Sequence, residues 1–141
     1  MKRIVVLGGG ESGVGAAVLA KTKGFEVFLS DKGKINDEHK AVLAQYNIDF
    51  EEGKHTEQLI LNADEVIKSP GIPDHAPMVV AIKDNEIRII SEIEFAGRYC
   101  SALIICITGS NGKITTQPLI YFLLKNVGLN VGLAGNIVKS I

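Results

Sequence analysis

The chain has 141 residues, 46% hydrophobic and 22% charged, with a formal net charge of −1. That length supplies one compact core, or one domain and part of a second, and the balanced charge excludes a basic field for docking on nucleic acid. No apolar run approaches the ~18 residues of a membrane span, and the opening Met1-Lys2-Arg3 with Ile4–Leu7 lacks the apolar stretch and cleavage site of a secretory leader. Cys100 and Cys106 are too few for a disulfide framework and lie in or beside an apolar run, so they read as reduced, packed thiols of a cytoplasmic protein.

Taken in order, Ile4–Leu7 is a continuous apolar run ending in glycines, the pattern of a strand covered on both faces. Gly13–Lys23 is rich in Ala, Val and Leu and stops at Gly24, as a helix does. Phe25–Ser30 reads as the next strand, Asn36–Tyr46 as a helix and Ile48–Glu51 as a short strand. A helix over Thr56–Leu61, a strand over Glu65–Lys68, a helix over Ala76–Lys83, a strand over Ile87–Ile90 and a helix over Ser91–Arg98 follow. Leu103–Ile107 is a second strongly apolar run read as a strand, before a glycine loop, a helix over Lys113–Asn126 and a strand near Val131. Strands alternating with helices predict an α/β, doubly wound parallel sheet. The last unit, from Leu103, cannot cover a sheet of its own with so few elements, so it reads as the opening of a second domain, with the boundary near Ala96–Ser101.

Three loops could carry chemistry. Gly8-Gly9-Gly10-Glu11-Ser12-Gly13 satisfies G-x-G-x-x-G between a strand and a helix, a spacing that turns tightly and lets backbone amides approach a phosphate. Asp31 closes the following strand, where a carboxylate can bond a ribose hydroxyl. By themselves these two features suggest NAD. Ser69-Pro70-Gly71-Ile72-Pro73 ends a later strand, and in an open α/β sheet such ends line the ligand crevice. Thr108-Gly109-Ser110-Asn111-Gly112-Lys113-Ile114-Thr115 opens a helix after an apolar run, so its amides face an anion that Lys113 can also reach. Ile107 stands where the full G-x-x-x-x-G-K pattern has its first glycine, so this is a shortened phosphate loop. His39, His55 and His75 have no metal-ligand spacing and read as surface or loop residues, Glu51-Glu52 as a solvated turn, and Glu92 and Glu94 receive no role.

The order of these loops is more specific than any one of them. A dinucleotide-type loop at the N-terminus, Ser69-Pro70-Gly71-Ile72, then Thr108-Gly109-Ser110-Asn111-Gly112-Lys113, and finally Gly135-Asn136-Ile137 together resemble the Mur ligases of peptidoglycan synthesis. Within that family the pattern is most similar to the branch that joins D-glutamate to UDP-N-acetylmuramoyl-L-alanine. The resemblance implies a Rossmann-like UDP-substrate domain over residues 1–97 and the incomplete start of a central P-loop-type ATPase domain over residues 98–141. It implies ATP and Mg²⁺ as cofactors of the full-length enzyme, an acyl phosphate formed on the L-alanine carboxylate, and attack on it by the amine of D-glutamate. Gly10, Glu11 and Ser12 then meet the uridine diphosphate, Asp31 and Lys32 the uracil side, Ser69, Pro70 and Gly71 the nucleotide, and Asn136 the substrate from the second domain. Gly109, Ser110, Asn111, Gly112, Lys113, Ile114 and Thr115 match the ATP loop, with Lys113 stabilising charge on the transferring phosphoryl group as the catalytic residue.

Two positions depart from the family. Ile114 stands where a Ser or Thr hydroxyl would ligate Mg²⁺, leaving Thr115 as the substitute only if the helix start shifts. Pro118 falls inside the predicted helix, where proline costs ~3 kcal/mol. Both changes predict a damaged ATP site or a distorted helix, and a chain that binds a UDP-type ligand without catalysing ligation. Residues 1–95 also fit an NAD-binding regulatory domain of the kind that gates potassium transport, which leaves Ser110-Asn111-Gly112-Lys113 unexplained. An oxidoreductase would need a catalytic His, Cys or Tyr–Lys pair at the sheet's edge, and no such set stands out.

Overall fold

A computed structural model describes residues 1–133. They divide at Ser101/Ala102 into two compact units.

The first unit alternates strand and helix throughout: β1 (Arg3–Leu7), α1 (Glu11–Thr22), β2 (Glu26–Asp31), α2 (Asp37–Gln45), β3 (Asp49–Glu52), α3 (Glu57–Ile60), β4 (Glu65–Lys68), α4 (Pro77–Asp84), β5 (Arg88–Ser91) and α5 (Glu92–Gly97). The strands form one sheet in the order β3-β2-β1-β4-β5, every neighbouring pair parallel. Successive side chains of a strand face opposite sides, so an uninterrupted apolar run feeds two cores. Ile4 and Val6 point to the side covered by α1, α2 and α5, with Leu29, Ile67, Leu43 and Phe95. Val5 and Leu7 point to the other side, with Phe28, Val66, Ile60 of α3 and Met78 and Ile82 of α4.

Local chemistry sets the helix starts. Asn36 accepts the His39 amide at 2.7 Å and caps α2, Ser91 accepts the Glu94 amide at 3.1 Å and caps α5, and Pro77 opens α4 at its first turn. Gly10 opens α1 with no side-chain cap hydrogen bond, as its lack of a side chain requires. Helix α5 is held from both sides. Phe95 is fully buried, a contribution of about 2–3 kcal/mol, and Arg98 grips Glu65 of β4 through two hydrogen bonds of 2.7 and 2.8 Å. That pair keeps the Glu65 carboxyl below its usual range.

The register decides what meets at the carboxyl edge. Leu7 lies opposite both Ser30 and Lys68, and Lys68 lies opposite Ser91. The next residue on each strand therefore falls in one row: Asp31, Gly8, Ser69 and Glu92. The row crosses the β1/β4 boundary, the switch point where chain order reverses.

The second unit holds α6 (Lys113–Asn126). The apolar run Leu103–Ile107 does not form the expected strand, nor is Val131 in one, because no neighbouring strand among the described residues supplies the hydrogen bonds that a strand consists of. Leu103 is 91% exposed, and no residue of α6 is buried. Helix α6 continues through Pro118 without a break. Cys100 and Cys106 are free as expected but exposed rather than packed, since neither lies in the cored part of the chain. Among the described residues, no helix is long and apolar enough to cross a membrane.

Candidate functional site

The glycine loop packs onto its neighbours so tightly that side chains are excluded. A Cβ on Gly13 would lie 2.0 Å from the Gly8 carbonyl oxygen, which is why α1 can run so close to β1. Gly8 has φ +108°, and a Cβ there would sit 2.6 Å from Ser69 Oγ. A Cβ on Gly9 would meet Ile35 at 2.7 Å. Gly10 differs: it has φ −76° and nothing within 4 Å of where its Cβ would be. Its side is open, and the uncapped first turn of α1 faces that opening with the positive end of the helix dipole.

Asp31 braces this loop. Its Oδ2 accepts the Gly9 amide at 2.5 Å and its Oδ1 the Gly33 amide at 2.6 Å. On the same side, His39 Nδ1 lies 3.0 Å from the Gly9 carbonyl oxygen; a carbonyl only accepts, so Nδ1 carries the proton. Glu92 gathers the other side. It is only 7% exposed, and its Oε1 accepts the Ser12 hydroxyl at 3.0 Å and the Ser69 hydroxyl at 2.5 Å.

A second polar cluster lies one strand further out. The fully buried Ser30 donates to Glu51 Oε1 at 2.8 Å and lies 2.7 Å from His55 Nδ1. Glu51 also accepts the Thr56 amide and hydroxyl at 2.8 and 2.6 Å. Burial works to raise the Glu51 carboxyl, but Thr56, Ser30 and Lys54 together bring it below its usual range. Glu52 is lowered too, first by Lys40 and then by the Ile35 amide, each 2.8 Å away. The pair is therefore a half-buried brace for the loops after β2 and β3, not the solvated turn expected from sequence. His55 is likewise half-buried, and burial pushes its pKa down.

Gly10, Glu11, Ser12, Asp31, Lys32, Ser69, Pro70 and Gly71 all fall at the carboxyl edge of the sheet, with Glu11 and Ser12 in the first turn of α1, Asp31 at the end of β2 and the others on loops. The hydroxyls of Ser12 and Ser69 are directed to Glu92. The sequence assigns no role to Glu92 and reads His39 as a surface or loop residue. Their partners are distant in sequence, 80 residues for Ser12 and Glu92, so no local spacing signals them. Gly109 to Thr115 belong to the second unit, where Gly112 takes a left-handed φ of +77° and its carbonyl accepts the Thr115 and Thr116 amides at 3.2 and 2.9 Å. Lys113 is the first residue of α6, and Ile114 behind it is 73% exposed with no side-chain oxygen to offer a cation. Among the described residues no His, Cys, Asp and Glu side chains gather into a metal-holding group. Asn136 lies outside the described residues.

A parallel sheet in this order, with a glycine loop and an uncapped helix at its switch point, defines a Rossmann-like α/β domain. The family description MurD N-terminal domain matches residues 3–78, and the chain belongs to that family. A protein of Bacteroides thetaiotaomicron named UDP-N-acetylmuramoylalanine--D-glutamate ligase is 64% identical over the whole chain, which covers 32% of that protein. One of the same name from Porphyromonas gingivalis is 60% identical over 98% of the chain and 31% of its own length. The chain thus spans about a third of the length of the curated relatives it matches, 32% in the first case. Among solved structures, a murein peptide ligase of Psychrobacter arcticus superposes with a TM-score of 0.67 at 25% identity, over 91% of this chain and 27% of that one. A pseudomurein peptide ligase type C of Methanothermus fervidus gives 0.61 at 32% identity, over 93% and 29%.

Proposed function

We infer that the chain is the N-terminal part of an ATP-dependent ligase that adds D-glutamate to UDP-N-acetylmuramoyl-L-alanine in the cytoplasmic steps of peptidoglycan synthesis. The observation that carries this reading is the open side of Gly10 beside the uncapped N-terminus of α1, in a chain of the MurD N-terminal family. A diphosphate fits that opening: it needs amide donors, a positive dipole end and no side chain in the way. Asp31 uses one lone pair on each oxygen for Gly9 and Gly33, and each keeps another for a ribose or base donor beside Lys32. The loop of Ser69, Pro70 and Gly71 closes the other wall.

The task of this chain is binding and orientation. It holds the UDP end of the substrate so that the distant carboxylate is presented to the ATPase part of the longer protein, where ATP supplies the phosphoryl group for the acyl phosphate. Gly109 to Thr115 with Lys113 form the start of that part. The residues here do not fit a Mg²⁺ site, since Ile114 occupies the ligand position, so the chain alone binds and does not ligate.

Calorimetric titration with UDP-N-acetylmuramoyl-L-alanine, with NADH and Mg-ATP in parallel, tests the reading. Saturable heat from the UDP compound is expected. Saturable NADH binding with silence from the UDP compound would overturn it in favour of an NAD-binding regulatory domain.

A further inference from the structure

Burying a carboxylate costs free energy that an apolar side chain of the same size would not, so Glu92 at 7% exposure has to be held by specific partners. Those partners are two hydroxyls on two segments far apart in sequence. Ser12 belongs to the first turn of α1, and Ser69 follows β4; both donate to the same oxygen, Oε1, at 3.0 and 2.5 Å. The Ser69 side chain in turn fills the space that a Cβ on Gly8 would need, with Oγ 2.6 Å from that position. The glycine loop therefore rests on Ser69, and the orientation of Ser69 is set by Glu92. Glu92 itself is fixed by α5, which Phe95 and the Arg98–Glu65 pair anchor to the sheet.

We propose that Glu92 is the positioning residue of the crevice: its Oε1 locks the Ser12 and Ser69 hydroxyls and so holds the β1–α1 and β4–α4 loops at the spacing a diphosphate requires. The role rests on the UDP reading above. A carboxylate facing the diphosphate directly would repel it, so Glu92 acts through the two serines and touches no ligand atom.

Titration of UDP into the chain and its E92Q and E92A variants, with thermal unfolding of each in parallel, separates the possibilities. Glutamine keeps a carbonyl oxygen with two lone pairs, so E92Q is expected to bind within about twofold of the unaltered chain. E92A loses both hydrogen bonds and is expected to bind about tenfold or more weakly. An E92A variant that binds like the unaltered chain, or an E92Q variant as weak as E92A, overturns the proposal. Should E92A not fold, the S12A/S69A double variant replaces it: binding about tenfold weaker is expected, and adding E92Q must change nothing further. An additional loss on adding E92Q overturns the role. Silence from the unaltered chain sinks the UDP reading and the Glu92 role with it, whereas normal binding by that chain and by E92A sinks the Glu92 role alone.

Discussion

Asp31 and Gly9 are joined across the carboxyl edge of the sheet by a hydrogen bond of 2.5 Å, from the Gly9 amide to Asp31 Oδ2. An acidic residue at the end of the second strand is expected to meet a sugar hydroxyl. In this chain its first duty is internal. Gly9 is buried, its amide has no helix or strand partner, and the second Asp31 oxygen takes the Gly33 amide at 2.6 Å. The carboxylate thus holds the glycine loop to the loop that follows β2, and any ligand contact is made by what remains of its acceptor capacity.

Replacing Asp31 by Ala should then lower stability as well as binding. A buried amide left without an acceptor costs about 1–3 kcal/mol. Urea denaturation of D31A should show a loss of that size, with UDP titration showing weaker uptake by the folded fraction. Unchanged stability would mean that the bond to Gly9 is not formed in solution.

The glycines separate packing from ligand access. Gly13→Ala places a Cβ 2.0 Å from a backbone oxygen, and backbone cannot step aside as a flexible side chain can. It should cost about 3 kcal/mol or more. Gly10→Ala meets nothing within 4 Å and has a φ of −76° open to any residue. G10A should still fold, losing no more than about 1 kcal/mol because alanine is a poorer N-cap than glycine, yet lose UDP uptake, because its methyl group stands in the opening where the diphosphate approaches. Retention of full affinity by G10A would move the ligand away from this loop.

What was legible in the sequence is what depends on neighbours along the chain. Glu65–Lys68 and Lys113–Asn126 have the bounds that composition predicts, and α1 starts slightly early, at Glu11, because Gly10 is extended and serves as its N-cap. The strand register, and with it the row of Asp31, Gly8, Ser69 and Glu92, follows from pairing that no local pattern records. Leu103–Ile107 shows the same limit from the other side. Its apolar, β-branched composition suits a strand, but a strand exists only where a partner strand bonds to it. His55 and Glu51 looked like surface residues because Ser30, their common neighbour, becomes buried only once β2 lies inside the sheet.

The stability of the first unit should not depend on the second. Among the described residues, every buried apolar side chain lies between Ile4 and Phe95. A chain ending at Ser101 should therefore unfold at the same temperature as the longer one. It should also bind less of an apolar dye, since Leu103, Ile114, Phe122 and Leu123 are all more than half exposed. Pro118→Ala in the longer chain restores an amide to the middle of α6 and should raise its helical circular dichroism. A lower unfolding temperature for the shorter chain would show that the second unit stabilises the first.

Acid stability should fall in two steps with the same sign. Ser30 has one hydroxyl proton, which goes to Glu51, so His55 Nδ1 at 2.7 Å donates to Ser30 and the ring needs only that one proton. Burial lowers the His55 pKa from its usual 6.5, against the pull of Glu51 and Asp31. The unfolded chain therefore binds this proton more readily than the folded one, so the stabilisation is complete above pH 6.5 and declines as pH falls below it. Glu51, Glu52 and Glu65 are held below their usual 4.5, so their contribution is present above that pH and is lost as pH falls through their folded values. Denaturation midpoints measured from about pH 8 to about pH 3 should decline first below neutrality and again, more steeply, in the carboxylate range. His55→Gln keeps a side-chain donor for Ser30 and cannot titrate, so it should remove the first decline and leave the second. A profile that is already flat through the first region in the unaltered chain would show that His55 is not buried against Ser30 in solution.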